Sequence, residues 1–386
     1  MSNPGAGSNG RRQRLVVGLT VALALAAAAY AVYWFIDGRF HISTHDAYVA
    51  GNRVAVMTEV PGTVTEIMVD STDAVRAGQP LVKLDQASAR IALGRAEAEL
   101  AIAVRRAQDL FGEIPALRAQ KRSAVAALWQ ARRNWTRAKR LFRGRALARA
   151  RLEQAHTDLI EAAAHASETA AKLAQTQDLV HGTQVNDHPS VLAAEAAVRQ
   201  AYITLDRKTV RAPVSGYVAK RSVELGEEVV PGRPLMIIVP LADVWVDANF
   251  KERELRDIRI GQPARVTADW YGGSVVFHGH VAGIDPGSGS AFSLLPPENA
   301  SGNWIKVVQR VPVRIAIDAS ALNQHPLRIG LSTEVSISIR HLAGTTLARH
   351  PPSEPRYRTD IYEGLLRRAN KLVKRIVLAN LLPARH

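Results

Sequence analysis

Residues 93–142 read LGRAEAELAIAVRRAQDLFGEIPALRAQKRSAVAALWQARRNWTRAKRLF, with apolar residues at alternating steps of three and four. Only one position of the series, Lys121, is not apolar. The series consists of Leu93, Ala96, Leu100, Ala103, Ala107, Leu110, Ile114, Leu117, Lys121, Ala124, Leu128, Ala131, Trp135, Ala138 and Phe142. Such a repeat, sustained over about seven heptads, predicts a coiled-coil helix. An arm of about 60 residues would be ~85 Å long, which suits spanning a distance and not enclosing a catalytic pocket.

The same spacing returns after a short basic connection, residues 143–147. The returning series consists of Leu152, Ala155, Leu159, Ala162, Ala166, Thr169, Leu173, Thr176 and Val180. Because the connection is short, the two series predict an antiparallel α-hairpin over residues 86–206. The run HGTQVNDHP at 181–189 should break the returning arm, and Pro115 should kink the outgoing one.

An uncharged run of 22 residues, 15–36, follows Arg11, Arg12 and Arg14. Its length of ~33 Å is enough to cross a bilayer. The basic residues before it place residues 1–14 in the cytoplasm and the chain from Asp37 onward outside it. A cleaved signal peptide is the alternative, but its apolar core is only ~7–15 residues long. The run therefore predicts an uncleaved, single-pass transmembrane anchor.

Residues 58–85 and 207–240, which flank the hairpin, share a pattern. Gly62 opens a Gly-x-Val and Gly78 a Gly-x-Pro-Leu, and Gly216 and Gly232 do the same, with a spacing of 16 residues in both pairs. Matching halves around an insertion predict one small β-domain, with the four glycines at its turns. The pattern resembles lipoyl and biotinyl carrier domains. Its expected tips, DSTD at 70–73 and ELGE at 224–227, lack the lysine that those domains modify, so we expect their fold without a cofactor.

Residues 241–342 contain short strand-like runs separated by Gly and Pro, which predict an antiparallel β-barrel. Residues 37–57 supply lead-in strands that join this barrel. Residues 343–386 form a basic tail with an amphipathic helix predicted at 360–382. That helix could lie on an anionic membrane surface, dock on a partner, or be a surface helix without a role. The predicted fold class is therefore α+β and multi-domain.

Motifs of catalysis are absent from the sequence. It contains no P-loop, no Gly-x-Ser-x-Gly, no His-Glu-x-x-His and no cysteine. His278 and His280 could face the same way on a strand but have no third ligand at suitable spacing. His41, His45 and Asp46 lie close together in the sequence, but surface histidines are the preferred interpretation. We therefore predict no catalytic residue, no cofactor and no metal site, and a protein that is not an enzyme.

Four phrases carry a resemblance to a known family: DAYVAGN at 46–52, VDANFKE at 246–252, GSAFSLLP at 289–296 and GNWIKVVQR at 302–310. With the order anchor, half-domain, hairpin, half-domain and barrel, the chain resembles the periplasmic membrane fusion proteins of the HlyD family, in particular the EmrA-type branch. The resemblance implies an adaptor of a tripartite multidrug efflux pump in the bacterial inner membrane, with its bulk in the periplasm. Its partners would be a major facilitator transporter, a TolC-like outer-membrane channel, and further copies in a trimeric or hexameric ring.

The resemblance also implies a role for the hairpin tip. Related adaptors carry there an arginine, a leucine four residues later and a serine seven residues further on, which dock on the channel. Arg137 and Leu141 match, whereas Ala148 replaces the serine, so one hydroxyl contact is missing. The predicted docking residues are Arg137, Lys139, Arg140, Leu141, Arg143, Arg145 and Ala148.

The tip has an unusual charge. No Asp or Glu lies between Ile114 and Leu152, while nine basic residues lie between 132 and 151. They are Arg132, Arg133, Arg137, Lys139, Arg140, Arg143, Arg145, Arg149 and Arg151. We expect this cluster to meet an acidic rim on the channel; the alternative is a solvated tip whose charge aids solubility.

Two other functions are alternatives. The same architecture could export aromatic acids or secrete a polypeptide. A net charge of +15 would also suit a membrane-tethered nucleic-acid binder. The basic tip, however, has few aromatic residues among its cations. They are Trp129, Trp135 and Phe142, of which the last two belong to the apolar seam and Trp129 lies just beside it. With the anchor, this makes nucleic acid an unexpected partner. No motif identifies the transported substrate or the number of copies.

Overall fold

The computed structural model describes residues 9–292, 308–348, 351 and 353–381. The helices are α1 (Asn9–Ile36), α2 (Ala87–Arg143), α3 (Arg149–Leu179), α4 (Pro189–Asp206), α5 (Ala319–Gln324) and α6 (Glu363–Asn380). The strands are β1 (His41–Ala50), β2 (Val54–Met57), β3 (Gly62–Ile67), β4 (Ala74–Val75), β5 (Pro80–Leu84), β6 (Thr209–Arg211), β7 (Gly216–Arg221), β8 (Glu228–Val229), β9 (Pro234–Val239), β10 (Trp245–Lys251), β11 (Pro263–Ala268), β12 (Val276–Ile284), β13 (Arg310–Ile317) and β14 (Ser332–Ser338). Residues 1–8 and 382–386, the end of GSAFSLLP and most of GNWIKVVQR lie outside the described residues.

Helix α1 is the predicted amino-terminal apolar helix. Within the segment Arg14–Phe40, the most apolar stretch of 18 residues has a mean hydropathy of 2.3 and is not buried against the rest of the chain. Among the described residues, this is the one helix long and apolar enough to cross a membrane. Its end adjoins the barrel, because Arg340, which follows β14, forms an ion pair with Asp37 and donates a hydrogen bond to the carbonyl of Ile36 at 3.3 Å.

Six antiparallel strands close into a barrel in the order β1-β10-β13-β12-β11-β14. Side chains alternate between the inside and the outside of the barrel, as in β10, where Val246, Ala248 and Phe250 are buried and the residues between them are half-buried. Phe250 and Phe277 are among the largest fully buried side chains of the chain. The predicted antiparallel barrel is therefore confirmed.

The second lead-in strand of residues 37–57 does not join the barrel, and that part of the prediction is wrong. Strand β1 pairs with β10 and β14, but β2 pairs with β9 of the next domain, with Val54 opposite Ile238. Val56 is buried in the core of that second domain. The chain changes domain near Gly51, where a Cβ atom would lie 2.9 Å from Cγ2 of Ile329. Alternating hydrophobicity shows which face of a strand is buried but not which sheet the strand joins.

The second β-domain is built from both segments that flank the hairpin. Its two sheets have the orders β2-β9-β7-β4 and β6-β5-β3-β8. Each sheet combines strands from before the hairpin with strands from after it. Leu81 and Leu84 of the first segment share one core cluster with Leu235 and Ile238 of the second. The predicted split lipoyl-like domain is therefore confirmed, and its core requires both segments.

The four repeated glycines have two different roles. Gly78 and Gly232 lie in turns with φ angles of +81° and +88°, where a side chain would be strained. The pattern predicts turns at Gly62 and Gly216 too, but this is wrong, because these residues begin strands β3 and β7. A Cβ atom on Gly216 would lie 2.5 Å from the carbonyl oxygen of Val239. Close strand packing, and not a turn, requires glycine at position 216.

Helix α2 is one helix of 57 residues that packs antiparallel first against α4 and then against α3. The predicted seam of α2 is buried or half-buried except at Lys121 and Phe142, and the seam of α3 is buried or half-buried throughout. The hairpin prediction is therefore confirmed. The predicted break is also present, because α3 ends at Leu179 and α4 begins at Pro189. Pro115 lies inside α2 without ending it.

Helix α6 of the basic tail packs on the hairpin of its own chain. Its buried residues are Leu365, Ala369, Val373 and Val377. Val373 and Val377 share a core cluster with α2 and α4. Of the three alternatives for this helix, the structure does not match the membrane surface, because the helix packs its apolar face on its own chain. An amphipathic sequence pattern indicates that one face of a helix will be buried, but it does not show which surface will cover that face.

Candidate docking surface at the hairpin tip

A tight turn closes the hairpin. Helix α2 ends at Arg143, and α3 begins after five further residues. The amide of Gly144 donates to the carbonyl of Arg140 at 3.2 Å, and the amide of Arg145 donates to the carbonyl of Phe142 at 2.9 Å. Arg145 has a φ angle of +57°, which is uncommon for a residue other than glycine. These contacts hold Arg143 and Arg145 at the far end of the hairpin.

Ala148 is the N-cap residue of α3. Its backbone is extended, with φ −66° and ψ 145°, and no side-chain hydrogen bond caps the helix. The first amides of a helix lack partners within the helix, and a serine oxygen at this position accepts one of them. The position at which related adaptors carry serine is therefore a capping position in this chain.

Ala148→Ser should stabilise the start of α3 by about 1 kcal/mol, because the new hydroxyl oxygen would accept a hydrogen bond from the first turn. Amide hydrogen exchange of residues 149–152 should slow about five-fold, the factor that corresponds to this free energy. Ala150→Ser, inside the helix, is the matched control and should not slow exchange. Equal exchange rates in the Ala148→Ser variant and the wild type would contradict the capping role.

Each of the predicted docking residues is exposed at the far end of the hairpin. They are Arg137, Lys139, Arg140, Leu141, Arg143, Arg145 and Ala148. Among the nine basic residues of the tip, Arg149 is the one with an ion pair to another described residue, Glu153, at 3.0 Å. The other eight have no carboxylate partner in the described part of the chain. Unpaired charges of one sign create a field that attracts an acidic surface.

A groove on α2 near the turn includes Trp129, Arg132, Arg133 and Thr136, which are not among the predicted docking residues. Its volume is about 390 Å³. It is lined by Trp129, Arg132, Arg133, Thr136, Arg137 and Arg140. Their spacing of three and four places them on one face of the helix. That spacing was readable in the sequence, but the apolar seam dominates the pattern and Trp129 lies beside it. Trp129 is 61% exposed, and an exposed tryptophan among arginines is typical of binding hot spots.

A second cleft, of about 800 Å³, lies between β2, the end of α4 and the start of α6. Apolar side chains line most of it, and Arg207 pairs with Glu59 there at 2.8 Å. Burial raises the pKa of the Tyr362 hydroxyl, and the nearby Glu59 carboxylate adds to the rise, while the Arg207 guanidinium partly opposes it.

Metal ligands are not assembled in the part of the chain that the structure describes. No group of three or more His, Cys, Asp or Glu residues there is arranged to hold a metal ion. His278 and His280 are exposed on β12, and His45 is exposed on β1.

The order of these parts defines a class of protein. A helix of membrane-crossing length adjoins a barrel, the barrel is followed by a split lipoyl-like domain, and a long hairpin ends in an unpaired basic surface. These are the parts of a membrane fusion protein, the class of periplasmic adaptors. In agreement, residues 87–208 match the family model of the EMRA alpha-helical hairpin domain, and residues 243–338 match that of the AAEA-like beta-barrel domain.

Individual proteins are similar over most of this chain. A solved structure of the periplasmic adaptor protein EmrA aligns with a TM-score of 0.39 at 20% identity, over 78% of this chain and 98% of that one. The fatty acid resistance protein FarA of Neisseria gonorrhoeae is 42% identical, over 88% of this chain and 86% of its own length. The multidrug export protein EmrA of Escherichia coli K12 is 42% identical over 354 residues, which cover 92% of this chain and 91% of that protein. The chain belongs to the EmrA family of membrane fusion proteins.

Proposed function

We propose that this chain is the periplasmic adaptor of a tripartite multidrug efflux pump. It couples an inner-membrane transporter of the major facilitator type to a TolC-like outer-membrane channel. One observation carries the proposal: a membrane-crossing helix adjoins the barrel, whereas the unpaired basic tip lies at the far end of a hairpin that is ~85 Å long. A chain with this arrangement can contact two membrane proteins that do not contact each other.

Each end has a proposed partner. In the proposed topology, residues 1–14 lie in the cytoplasm and the chain from Asp37 onward lies in the periplasm, because the basic residues precede the apolar span. The tip docks on an acidic rim of the channel through Arg137, Lys139, Arg140, Leu141, Arg143, Arg145 and Ala148. Copies of the chain form a trimeric or hexameric ring, which seals the path between the two membrane proteins.

The work of the chain is geometric and not catalytic. Relatives with similar identity to this chain carry different names, multidrug export protein and fatty acid resistance protein. This difference supports a division of labour in which the transporter selects the exported compound and the adaptor provides the connection. Multidrug compounds are the proposed cargo, because EmrA of Haemophilus influenzae and EmrK and MdtN of Escherichia coli are also named as multidrug export or resistance proteins.

Affinity purification of the full-length chain from gently solubilised membranes tests the proposal. We expect a major facilitator transporter and an outer-membrane channel in the same eluate, identified by mass spectrometry. The matched control replaces residues 87–206 with a short glycine-rich linker and ends at Arg358, so that α6 is not left without the helices on which it packs. Since β5 and β6 pair directly, with Lys83 opposite Thr209, the lipoyl-like domain should still fold. This control should retain the transporter and lose the channel.

Other results would change the assignment. Recovery of an ABC transporter would move the protein to polypeptide secretion. Recovery of neither membrane protein, even after crosslinking from position 137, would contradict the bridging function. Retention of the protein on DNA, with a steep decrease as salt is raised, would support the nucleic-acid alternative.

A further inference from the structure

The base of the hairpin is a bundle of three helices and not of two. Helix α6 packs along α2 and α4, and their side chains form one core cluster that is separate from the two β-domain cores. The cluster contains Leu100 and Val104 of α2, Val198 of α4, and Val373 and Val377 of α6. Leu100, Val104 and Val198 are 0% exposed. In the upper part of the hairpin, where only α2 and α3 pack together, no seam residue is buried as completely.

Polar contacts fix α6 to both arms. Arg199 of α4 donates from Nε to the side-chain oxygen of Asn370 at 2.7 Å. Arg105 of α2 donates to the side-chain oxygen of Asn380 at 2.9 Å. These contacts lie towards the middle and the end of α6, so the helix is held along its length.

The start of α6 is tied to the lipoyl-like domain. The hydroxyl of Thr359 donates to the carbonyl of Pro213, between β6 and β7, at 2.7 Å. Ile361 and Leu365 line the same cleft as Val54 and Met57 of β2. Arg368 pairs at 3.3 Å with Asp206, the last residue of α4. A single helix therefore contacts the β-domain and both arms of the hairpin.

The three-helix segment ends where the returning arm breaks. Val185, in the short 3-10 helix between α3 and α4, packs on the same cluster, and α6 ends at Asn380. Beyond this level only α2 and α3 continue. Pro115 lies about 12 Å further along α2 than Ala107 of the cluster, and it removes one backbone hydrogen bond from the continuous helix.

We infer that α6 is a brace that fixes the lower hairpin to the lipoyl-like domain and confines bending to the joint at residues 180–188 and Pro115. The lower hairpin, residues 87–107 with 189–206, moves as one body with the β-domain. The upper arm, residues 116–179, changes direction about the joint. The brace does not depend on which transporter or channel the chain serves.

Two measurements on the full-length protein in lipid nanodiscs test the brace. The first is amide hydrogen exchange in residues 189–206 and 152–173. In a chain that ends at Arg358, exchange in 189–206 should be at least ten-fold faster, while exchange in 152–173 and in the barrel should not change. Val373→Asp retains the helix but places a carboxylate in the core cluster. This variant should also make exchange in residues 189–206 faster. Lys374→Ala, on the exposed face of α6, is the matched control and should resemble the wild type.

The second measurement is a distance distribution between spin labels. The chain has no cysteine, so Lys220→Cys and Ala98→Cys place one label on the β-domain and one on the lower hairpin without background. The distribution should be narrow with α6 present and at least twice as wide in the chain that ends at Arg358. Unchanged exchange and an unchanged distribution in both brace variants would overturn the inference. Faster exchange throughout the barrel would show general unfolding and would also count against a local brace.

Discussion

Replacing Arg133, Arg137 and Arg140 together by glutamate is expected to abolish recovery of the outer-membrane channel while recovery of the inner-membrane transporter remains at the wild-type level. The three side chains line the groove beside Trp129 and have no carboxylate partner among the described residues. If these arginines contact an acidic rim on the channel, replacing them by glutamate reverses their charge and converts attraction into repulsion across a desolvated contact. Loss of one buried charge pair typically costs about 2–5 kcal/mol, and three losses exceed what a transient docking contact can tolerate.

The measurement is the amount of channel that crosslinks to the hairpin tip in intact cells, together with drug resistance. We expect resistance to fall to that of cells without the adaptor. The matched control is glutamate at Arg367, Lys371 and Lys374, which changes the charge equally on an exposed face of α6. Wild-type crosslinking by the tip variant would show that the tip charge serves solubility only. For the wild type, crosslinking in membranes should decrease as salt is raised, because the Debye length shortens from ~10 Å at 0.1 M to ~3 Å at 1 M.

Gly216→Ala is expected to destabilise the lipoyl-like domain by about 3 kcal/mol, the upper end of the usual cost of overpacking. The new Cβ atom would lie 2.5 Å from the carbonyl oxygen of Val239 and 3.0 Å from Cγ2 of Ile238. Both neighbours belong to β9, which pairs with β7 from Tyr217 onward. The strands must separate to accommodate the methyl group, and β9 carries much of the domain core.

The measurement is thermal unfolding of the purified full-length protein, in which susceptibility of the lipoyl-like domain to proteolysis is the readout at each temperature. The control is Gly94→Ala, on an exposed position of α2 with no atom within 4 Å of the added Cβ. Alanine there should stabilise the helix by up to about 1 kcal/mol, the opposite direction. A melting temperature for Gly216→Ala equal to that of the wild type would show that β7 and β9 adjust without cost.

The sequence alone was sufficient to predict the structural features that repeat along the chain or are concentrated in one segment. The seam from Leu93 to Phe142 defined the hairpin because a coiled coil shows its contacts as a period along the chain. The split domain was visible because its two halves carry the same glycines 16 residues apart. The charge of the tip was visible because it is concentrated in one short segment. In each case the physical cause is local, or is repeated at a fixed spacing.

Contacts between distant segments were not predictable in this way. The apolar face of α6 was recognised, but its partners, α2 and α4, lie more than 150 residues earlier and share no pattern with it. The sequence pattern of β2 resembles that of β1, but the chain passes from the barrel to the lipoyl-like domain near Gly51, so β2 joins a different sheet. Gly216 reads like a turn glycine because the sequence does not show that the Val239 backbone lies against it. The groove at Trp129 depends on a second helix face that the stronger apolar period conceals.

Because β5 pairs directly with β6, the length of the hairpin between them can change without a change in the β-domain. The outgoing arm leaves the β-domain after one strand and the returning arm re-enters at its neighbour, with Lys83 opposite Thr209. The points at which the two arms join the β-domain are therefore one strand spacing apart, whatever the length of the arms. One heptad added to each arm would lengthen the reach by ~10 Å without moving any residue of the β-domain. An adaptor of this design can be fitted to envelopes of different thickness by insertion alone, in steps of seven residues per arm.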